Sequence, residues 1–296
     1  MSGDLGAVGA ALAAALGRPV APRPASRVGG GSTHAAYRWP TAAAPLLVKL
    51  APRGDEPLLA AEADGLAVLA AARVLRVPAV VGHGAAGEHA WLALEWLELG
   101  AADPAADAAL GVALAALHRV VGPRYGFASD NYIGRTRQPN AWHDDWPAFV
   151  AAARLGPQFE LAAARGRGGA LAERGARLLE LVGAFYRDYR PLPSLLHGDL
   201  WHGNRARLAG GAPVVFDPAP YYGDREADLA MARLFGGFDA RFHAAYEHAW
   251  PLDAGAGARV ALHQLYHVLN HLNLFGGGYA REALALTERL LAAVRG

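Results

Sequence analysis

The hydrophobic period of this chain changes near residue 100, and no other feature limits its fold as strongly. Before that point, short apolar runs bounded by Pro and Gly read as strands: Ala36 to Trp39, Leu46 to Leu50, Val77 to Gly82 and Ala90 to Trp96. Two helices accompany them. Leu5, Val8, Leu12 and Leu16 recur at helical steps, and Leu58 to Ala72 carries Ala61, Leu66 and Leu69 on its apolar side. Leu99 to Asp103 reads as a linker. Beyond it the spacing predicts helices over 105–121, 146–165, 170–189, 231–235, 240–250, 259–274 and 280–294, with one small hairpin around Leu195 to Asp217. The expected class is α+β in two parts: a small β-rich lobe of five strands with one main helix over residues 1–98, and a larger helical lobe over 99–296. There is no internal repeat. Clefts between lobes are common ligand sites.

Composition narrows the function classes. The chain has 296 residues, 53% hydrophobic and 19% charged, which suits a buried core and excludes a disordered chain. A net charge of +1 gives no footing for a nucleic acid or an acidic membrane. The absence of cysteine excludes a thiolate nucleophile, a Cys-bound zinc site and a disulfide-linked dimer. The start, Met-Ser-Gly-Asp, lacks the basic residues of a signal peptide. No run reaches the ~18 apolar residues of a membrane span. The chain reads as cytoplasmic.

The strongest local signal is Leu196-His-Gly-Asp-Leu-Trp-His-Gly-Asn204, followed by Val214-Val-Phe-Asp217. Asp199 and Asn204 share one loop after a strand, and Asp217 ends the next apolar run. Phosphoryl transfer needs such a set: one carboxylate to orient the attacking hydroxyl and take its proton, and an amide oxygen with a second carboxylate to hold Mg²⁺ on the nucleotide phosphates. Asp199 is then the base, and Asn204 and Asp217 the metal ligands. The plainer reading is that Asp and Asn sit in turns for local hydrogen bonds.

A second set lies upstream. Of 28 basic residues one is lysine, Lys49; the rest are arginine. A lone lysine under that bias marks a place that needs a compact charge and not a planar fork, unless it is a chance survivor on the surface. Gly29, Gly30 and Gly31 lie two strands earlier, where a flexible backbone can approach phosphates; a plain turn is the alternative. Glu62, on the following helix, is placed to pair with Lys49. Glu95, Trp96 and Leu97 end the last strand before the linker, where backbone groups can meet an adenine, or where a strand merely ends.

The chain resembles the fructosamine kinase (ketosamine 3-kinase) family, part of the protein-kinase-like superfamily that also holds the aminoglycoside phosphotransferases. The resemblance spans nearly the whole chain. It rests on Tyr125-Gly-Phe, Asp130-Asn-Tyr-Ile-Gly134, Gln138-Pro-Asn140 with Trp142, Arg154-Leu, His197 to Asn204, Asp217-Pro-Ala, Tyr222-Gly-Asp-Arg-Glu-Ala-Asp-Leu-Ala-Met231, Leu234-Phe-Gly-Gly237 and Asn270 to Gly276. It implies a bilobal protein-kinase-like fold and ATP-dependent, Mg²⁺-assisted transfer to the 3-hydroxyl of a free or protein-bound ketosamine, whose 3-phosphate then breaks down and frees the amine. It gives Asp199, Asn204, Asp217, Lys49, Glu62 and the Glu95 to Leu97 hinge the roles above. Some relatives carry a cysteine in the glycine-rich loop, where this chain has Gly31-Ser-Thr33. Two other readings stand beside it: another small-molecule kinase of this fold, acting on an aminoglycoside, amino alcohol or sugar, and a non-catalytic nucleotide-binding protein. The intact set of five polar residues speaks against the last.

Asp130, Asn131, Tyr132 and Trp201 are the candidates for the acceptor side, because sugars suit an aromatic face with polar partners. Trp142 and Trp146 read better as packing residues. His263, His267 and His271 share a helix face at zinc-like spacing, but no carboxylate shares the stripe, and a buried, hydrogen-bonded row is the expectation. Asp228 reads as a helix cap or a brace for the catalytic loop.

Overall fold

The computed structural model describes residues 5–29, 34–101 and 103–295. These form two compact units, one of residues up to Leu110 with Gly203–Ala219, the other of Gly111–His202 with the chain from Pro220 onward. The units are therefore not two consecutive stretches. The segment with Asn204 and Asp217 groups with the first unit, although it lies beyond residue 98.

The first unit runs α1 (Leu5–Leu16), β1 (Ser26–Val28), β2 (Ala35–Trp39), β3 (Leu46–Pro52), α2 (Glu56–Ala72), β4 (Val80–Ala86) and β5 (His89–Glu95), and α3 (Pro104–His118) begins in it. The strands form an antiparallel sheet of order β1-β2-β3-β5-β4. Three elements differ from the sequence reading. β1 lies in a stretch read as irregular. β4 starts at Val80 and not Val77, and α2 starts two residues earlier with Pro57 in its first turn. Strand alternation then sets the site. Leu46, Val48 and Leu50 of β3 cluster with Val8 and Leu12 of α1, Trp39, Trp91 and Ala93. Lys49, out of phase with them, points to the other face and meets Glu62 of α2.

The remaining elements are β6 (Asn131–Ile133), β7 (Thr136–Gln138), α4 (Trp146–Phe149), α5 (Gly156–Ala164), α6 (Ala170–Leu181), β8 (Ser194–Leu195), β9 (Arg205–Arg207), β10 (Pro213–Val215), β11 (Tyr222–Gly223), α7 (Glu226–Leu234), α8 (Ala240–Ala249), α9 (Ala256–Phe275) and α10 (Tyr279–Arg295). The hairpin β9–β10 belongs to the first unit. It is held there by Gly100 N–H on Arg207 O (2.8 Å), Val215 N–H on Arg76 O (3.0 Å) and an ion pair of Arg205 with Asp107. The helix expected over 146–165 is continuous but not uniform: a π-helical turn, Val150–Leu155, joins α4 to α5. Asp145 caps α4 by accepting from Ala148 N–H at 2.9 Å.

α9 runs through the interior of the second unit, with Leu262, Leu265, Leu269 and Leu272 among its buried residues. Its Arg259 makes a two-pronged pair with Glu226 of α7, both contacts at 2.8 Å. The histidine stripe on α9 is largely interior: His263 bonds the Tyr186 hydroxyl at 3.2 Å, and His271 Nδ1 donates to His267 O at 2.8 Å. Burial pushes His267 down to about 3, so its ring is neutral. Trp146 is buried and stacks on Phe149 (5.3 Å between centroids), and Trp142 stacks on Tyr222 (6.1 Å). Among the described residues no helix is long and apolar enough to cross a membrane.

Gly223 is a close-approach glycine. A Cβ there would stand 2.7 Å from the Trp146 and Tyr221 rings. Gly223→Ala is expected to lower stability by about 1–3 kcal/mol, read as a shift in urea midpoint. A midpoint equal to wild type would show that the rings yield freely.

Candidate active site

In the first unit the structure gathers Lys49, Glu62 and Asp217. Lys49 Nζ lies 2.6 Å from Glu62 Oε1 and 2.5 Å from Asp217 Oδ1. The lysine and Glu62 side chains are 11% and 12% exposed, so water screens the pair little, whereas Asp217 is 44% exposed. Burial alone would lower the Lys49 pKa; Asp217 and then Glu62 outweigh it and hold it above its ordinary value. Burial pushes the Glu62 carboxyl up to about 7, with Lys49 pulling the other way. Two carboxylates on one ammonium leave a local excess of negative charge at high pH.

Asp217 has φ of 51°, a left-handed conformation that costs a non-glycine residue about 1–2 kcal/mol. The strained residue is the one that meets Lys49 and precedes a proline. Asn204 stands beside it. Phe216 N–H donates to Asn204 O at 2.9 Å, and Asn204 Nδ2 lies 3.5 Å from Asp217 O. The two candidate metal ligands thus offer one carboxylate and one amide oxygen on adjoining backbone. Among the described residues no group of three or more His, Cys, Asp or Glu could hold a metal alone. Mg²⁺ is commonly held by one or two carboxylates with phosphate oxygens and waters completing the shell, so this donor set fits that ion.

Glu95 at the end of β5 makes both contacts of a pair with Arg76 at 2.6 Å. Its backbone N–H donates to Ala79 O at 2.9 Å. Trp96 and Leu97 continue beyond the last ladder pair, Leu46 with Glu95. Gly29 follows β1, while Gly30 and Gly31 lie outside the described residues.

In the second unit the loop with Asp199 is built around a buried anion. Asp228 of α7 accepts from His197 N–H (2.7 Å) and Gly198 N–H (2.8 Å), and from His118 Nε2 at 3.1 Å. His118 Nδ1 in turn bonds the Tyr246 hydroxyl at 2.8 Å. Gly198 has φ of 83°, open to glycine at no steric cost. Asp199 N–H donates to His197 Nδ1 at 3.2 Å, and Trp201 N–H to Asp199 O at 3.1 Å. Both Asp199 and Trp201 are partly exposed. Trp201 and His202 meet edge to face, 4.8 Å between centroids. Sequence reasoning named Asp228 a brace but gave His118 no part. The pairing links positions 110 residues apart, which no local pattern shows.

The acceptor-side candidates fare unequally. Asn131 is buried: its Nδ2 donates to Pro220 O (2.8 Å), and its Oδ1 accepts from Gln138 (2.8 Å) and Asn140 (3.0 Å). Asp130 pairs with Arg137 and accepts from Asn140 N–H at 2.8 Å. Tyr132 is half-buried on β6.

The model of the fructosamine kinase family matches residues 6–293 of this chain. The chain belongs to the fructosamine kinase family. It is similar to a "Probable ketoamine kinase" of Synechocystis sp., 42% identical over 276 residues that make up 93% of this chain and 92% of that one. It is also 37% identical, over 90% of its length and 78% of the relative's, to a chloroplastic protein-ribulosamine 3-kinase of Oryza sativa subsp. japonica. The crystal structure of a fructosamine-3-kinase candidate from Thermobifida fusca superposes with a TM-score of 0.85 at 34% identity, covering 97% of this chain and 99% of that one. The kinase-like fold expected from the sequence is thereby confirmed.

Burial would raise the Asp228 carboxyl, but the bond and charge of His118, the charge of His197 and the Gly198 N–H outweigh it and hold it below its ordinary value. A depressed carboxylate stabilises above its unfolded pKa, and that stability is lost as pH falls through the folded value. Wild-type urea midpoints should therefore drop below about pH 4. Asp228→Asn should lower stability at pH 7 by about 1–3 kcal/mol and flatten that acid limb. Acid limbs of equal slope would remove Asp228 from this account.

Proposed function

We propose that this chain is an ATP-dependent ketosamine 3-kinase, with nucleotide-binding groups in residues 1–98 and the catalytic loop and acceptor site in 99–296. The observation that carries the reading is Lys49 Nζ, buried and held between Glu62 and Asp217. Membership of the family supports it, and so do the names of relatives described as ketoamine and ribulosamine kinases.

In this reading Lys49 holds the α- and β-phosphates and Glu62 keeps it in place. Gly29, Gly30 and Gly31 let the backbone approach the phosphates, and backbone groups of Glu95 to Leu97 take the adenine. Asn204 and Asp217 would hold Mg²⁺, which when bound neutralises charge on the phosphate oxygens. Asp199 orients the 3-hydroxyl and accepts its proton. The sugar O3–Pγ bond forms as the bond from Pγ to the β–γ bridging oxygen breaks, giving ADP and the ketosamine 3-phosphate. Trp201 offers its face to the sugar, and Asp130 and Tyr132 supply polar contacts. Asn131, with its amide inside, acts by holding Tyr132 in position. The activity belongs in the cytoplasm, where ATP is supplied.

The test is ADP release with Mg·ATP against fructoselysine, ribuloselysine, an aminoglycoside and free fructose. Ketosamine-dependent turnover is expected. Asp199→Asn should reduce kcat by about 10²–10⁴ with ATP affinity intact. Lys49→Arg should fail as well, since a planar fork does not replace a compact ammonium. Turnover of the aminoglycoside alone would move the acceptor elsewhere in the fold. An active Asp199→Asn would take the base role away from Asp199.

A further inference from the structure

Four buried nitrogens in the second unit have no hydrogen-bond partner among the described residues: His243 Nδ1 and, apart from it, Trp146 Nε1, Arg154 Nε and His267 Nδ1. Trp146, Arg154 and His267 are 2%, 3% and 4% exposed. Unmet donors are costly and rare in interiors. Here all three residues line one cavity of about 10 Å³, whose walls are otherwise largely apolar, with Val150, Leu155 and Leu262 among them.

The valences of the three atoms are complementary. Arg154 Nε–H and Trp146 Nε1–H can only donate. His267 is neutral, since burial pushes it down to about 3, so one ring nitrogen is free to accept. A water accepts two hydrogen bonds and donates to a third atom, which meets all three needs at once. The volume is at the lower limit for one water, roughly 10–15 Å³, and leaves nothing over for a larger halide ion.

Arg154 is the reason such a site matters. The π-helical turn Val150–Leu155 carries it into the interior, and π-turns of this kind recur at functional sites. Its guanidinium lies 3.9 Å from the Tyr221 ring centroid and 4.4 Å from that of Phe149, and it makes no ion pair among the described residues. Its other nitrogens bond Pro139 O (2.6 Å) and Asn140 Oδ1 (2.8 Å). Asn140 in turn bonds Ser129 O (3.1 Å), Asn131 Oδ1 (3.0 Å) and the carboxylate of Asp130 (2.8 Å). The guanidinium thus fastens the whole 129–140 segment from inside.

We propose that the cavity between Trp146, Arg154 and His267 binds a single water, and that this water fixes Arg154 as the positioning residue for the 129–140 segment. The second half of the statement, that the segment serves the acceptor, rests on the ketosamine kinase reading; the first half does not.

The test begins with a crystal structure of the wild-type protein grown with sodium bromide. A water peak about 2.7–3.2 Å from the three nitrogens is expected, with no anomalous bromide signal. Ring ¹⁵N shifts should show His267 Nδ1 unprotonated. A bromide peak, an empty cavity, or a protonated Nδ1 would each overturn the water site. Arg154→Met should then raise KM for the ketosamine roughly tenfold or more, with KM for ATP and kcat within about twofold. Equal changes in both KM values, or none, would overturn the positioning role. If wild type turns over no ketosamine while the water peak is present, it is the functional reading that fails and the site stands.

Discussion

One ammonium ties together three distant stretches of the first unit. Lys49 comes from β3, Glu62 from α2 and Asp217 from the segment that follows β10. Without the cation, the buried Glu62 and the half-exposed Asp217 would face each other as like charges. The sheet supplies the direction. Strand alternation sends Leu46, Val48 and Leu50 to α1 and leaves Lys49 facing α2. In the proposed function the same ammonium would meet the nucleotide phosphates. The left-handed backbone of Asp217 persists within the same contact.

The second unit uses the opposite charge for the same purpose. Asp228 is the buried anion on which the Asp199 loop rests, and His118 and Tyr246 complete its shell. Around it, Arg154, Glu226, Arg259 and the amides of Asn131, Gln138 and Asn140 form a polar interior, with every side chain of that list buried. Such an interior is stable when its members satisfy one another, and it specifies one arrangement because few alternatives would. The cavity beside Arg154 is one point in that interior where protein groups alone leave polar atoms unmet.

Much of this was legible in the residues. The lone lysine, the acid thirteen positions later and the spacing of Asp199, Asn204 and Asp217 point to phosphoryl transfer in the sequence itself. What stayed hidden has physical reasons. β1 is three residues long, mostly exposed, and held by its pairing with β2, so no alternation betrays it. The π-turn covers only Val150–Leu155, too short a run for a change of helical period to be read from the residues. Asn131 reads as an acceptor-side candidate in a loop-like stretch, and its burial is not legible there because it depends on its partners Gln138, Asn140 and Pro220. The grouping of Gly203–Ala219 with the first unit depends on long-range bonds to Arg76 and Gly100 that a linear reading does not contain.

The central claim is that the phosphoryl group goes to O3 of a ketosamine, and the position of the phosphate tests it most directly. Ribuloselysine treated with the protein and Mg·ATP would be followed by ¹H–³¹P correlation NMR. The account predicts a phosphorus coupled to the proton on C3, followed by decay of that signal with release of free lysine. A phosphate coupled to another carbon, or ATP turnover that leaves ribuloselysine unchanged, would contradict it.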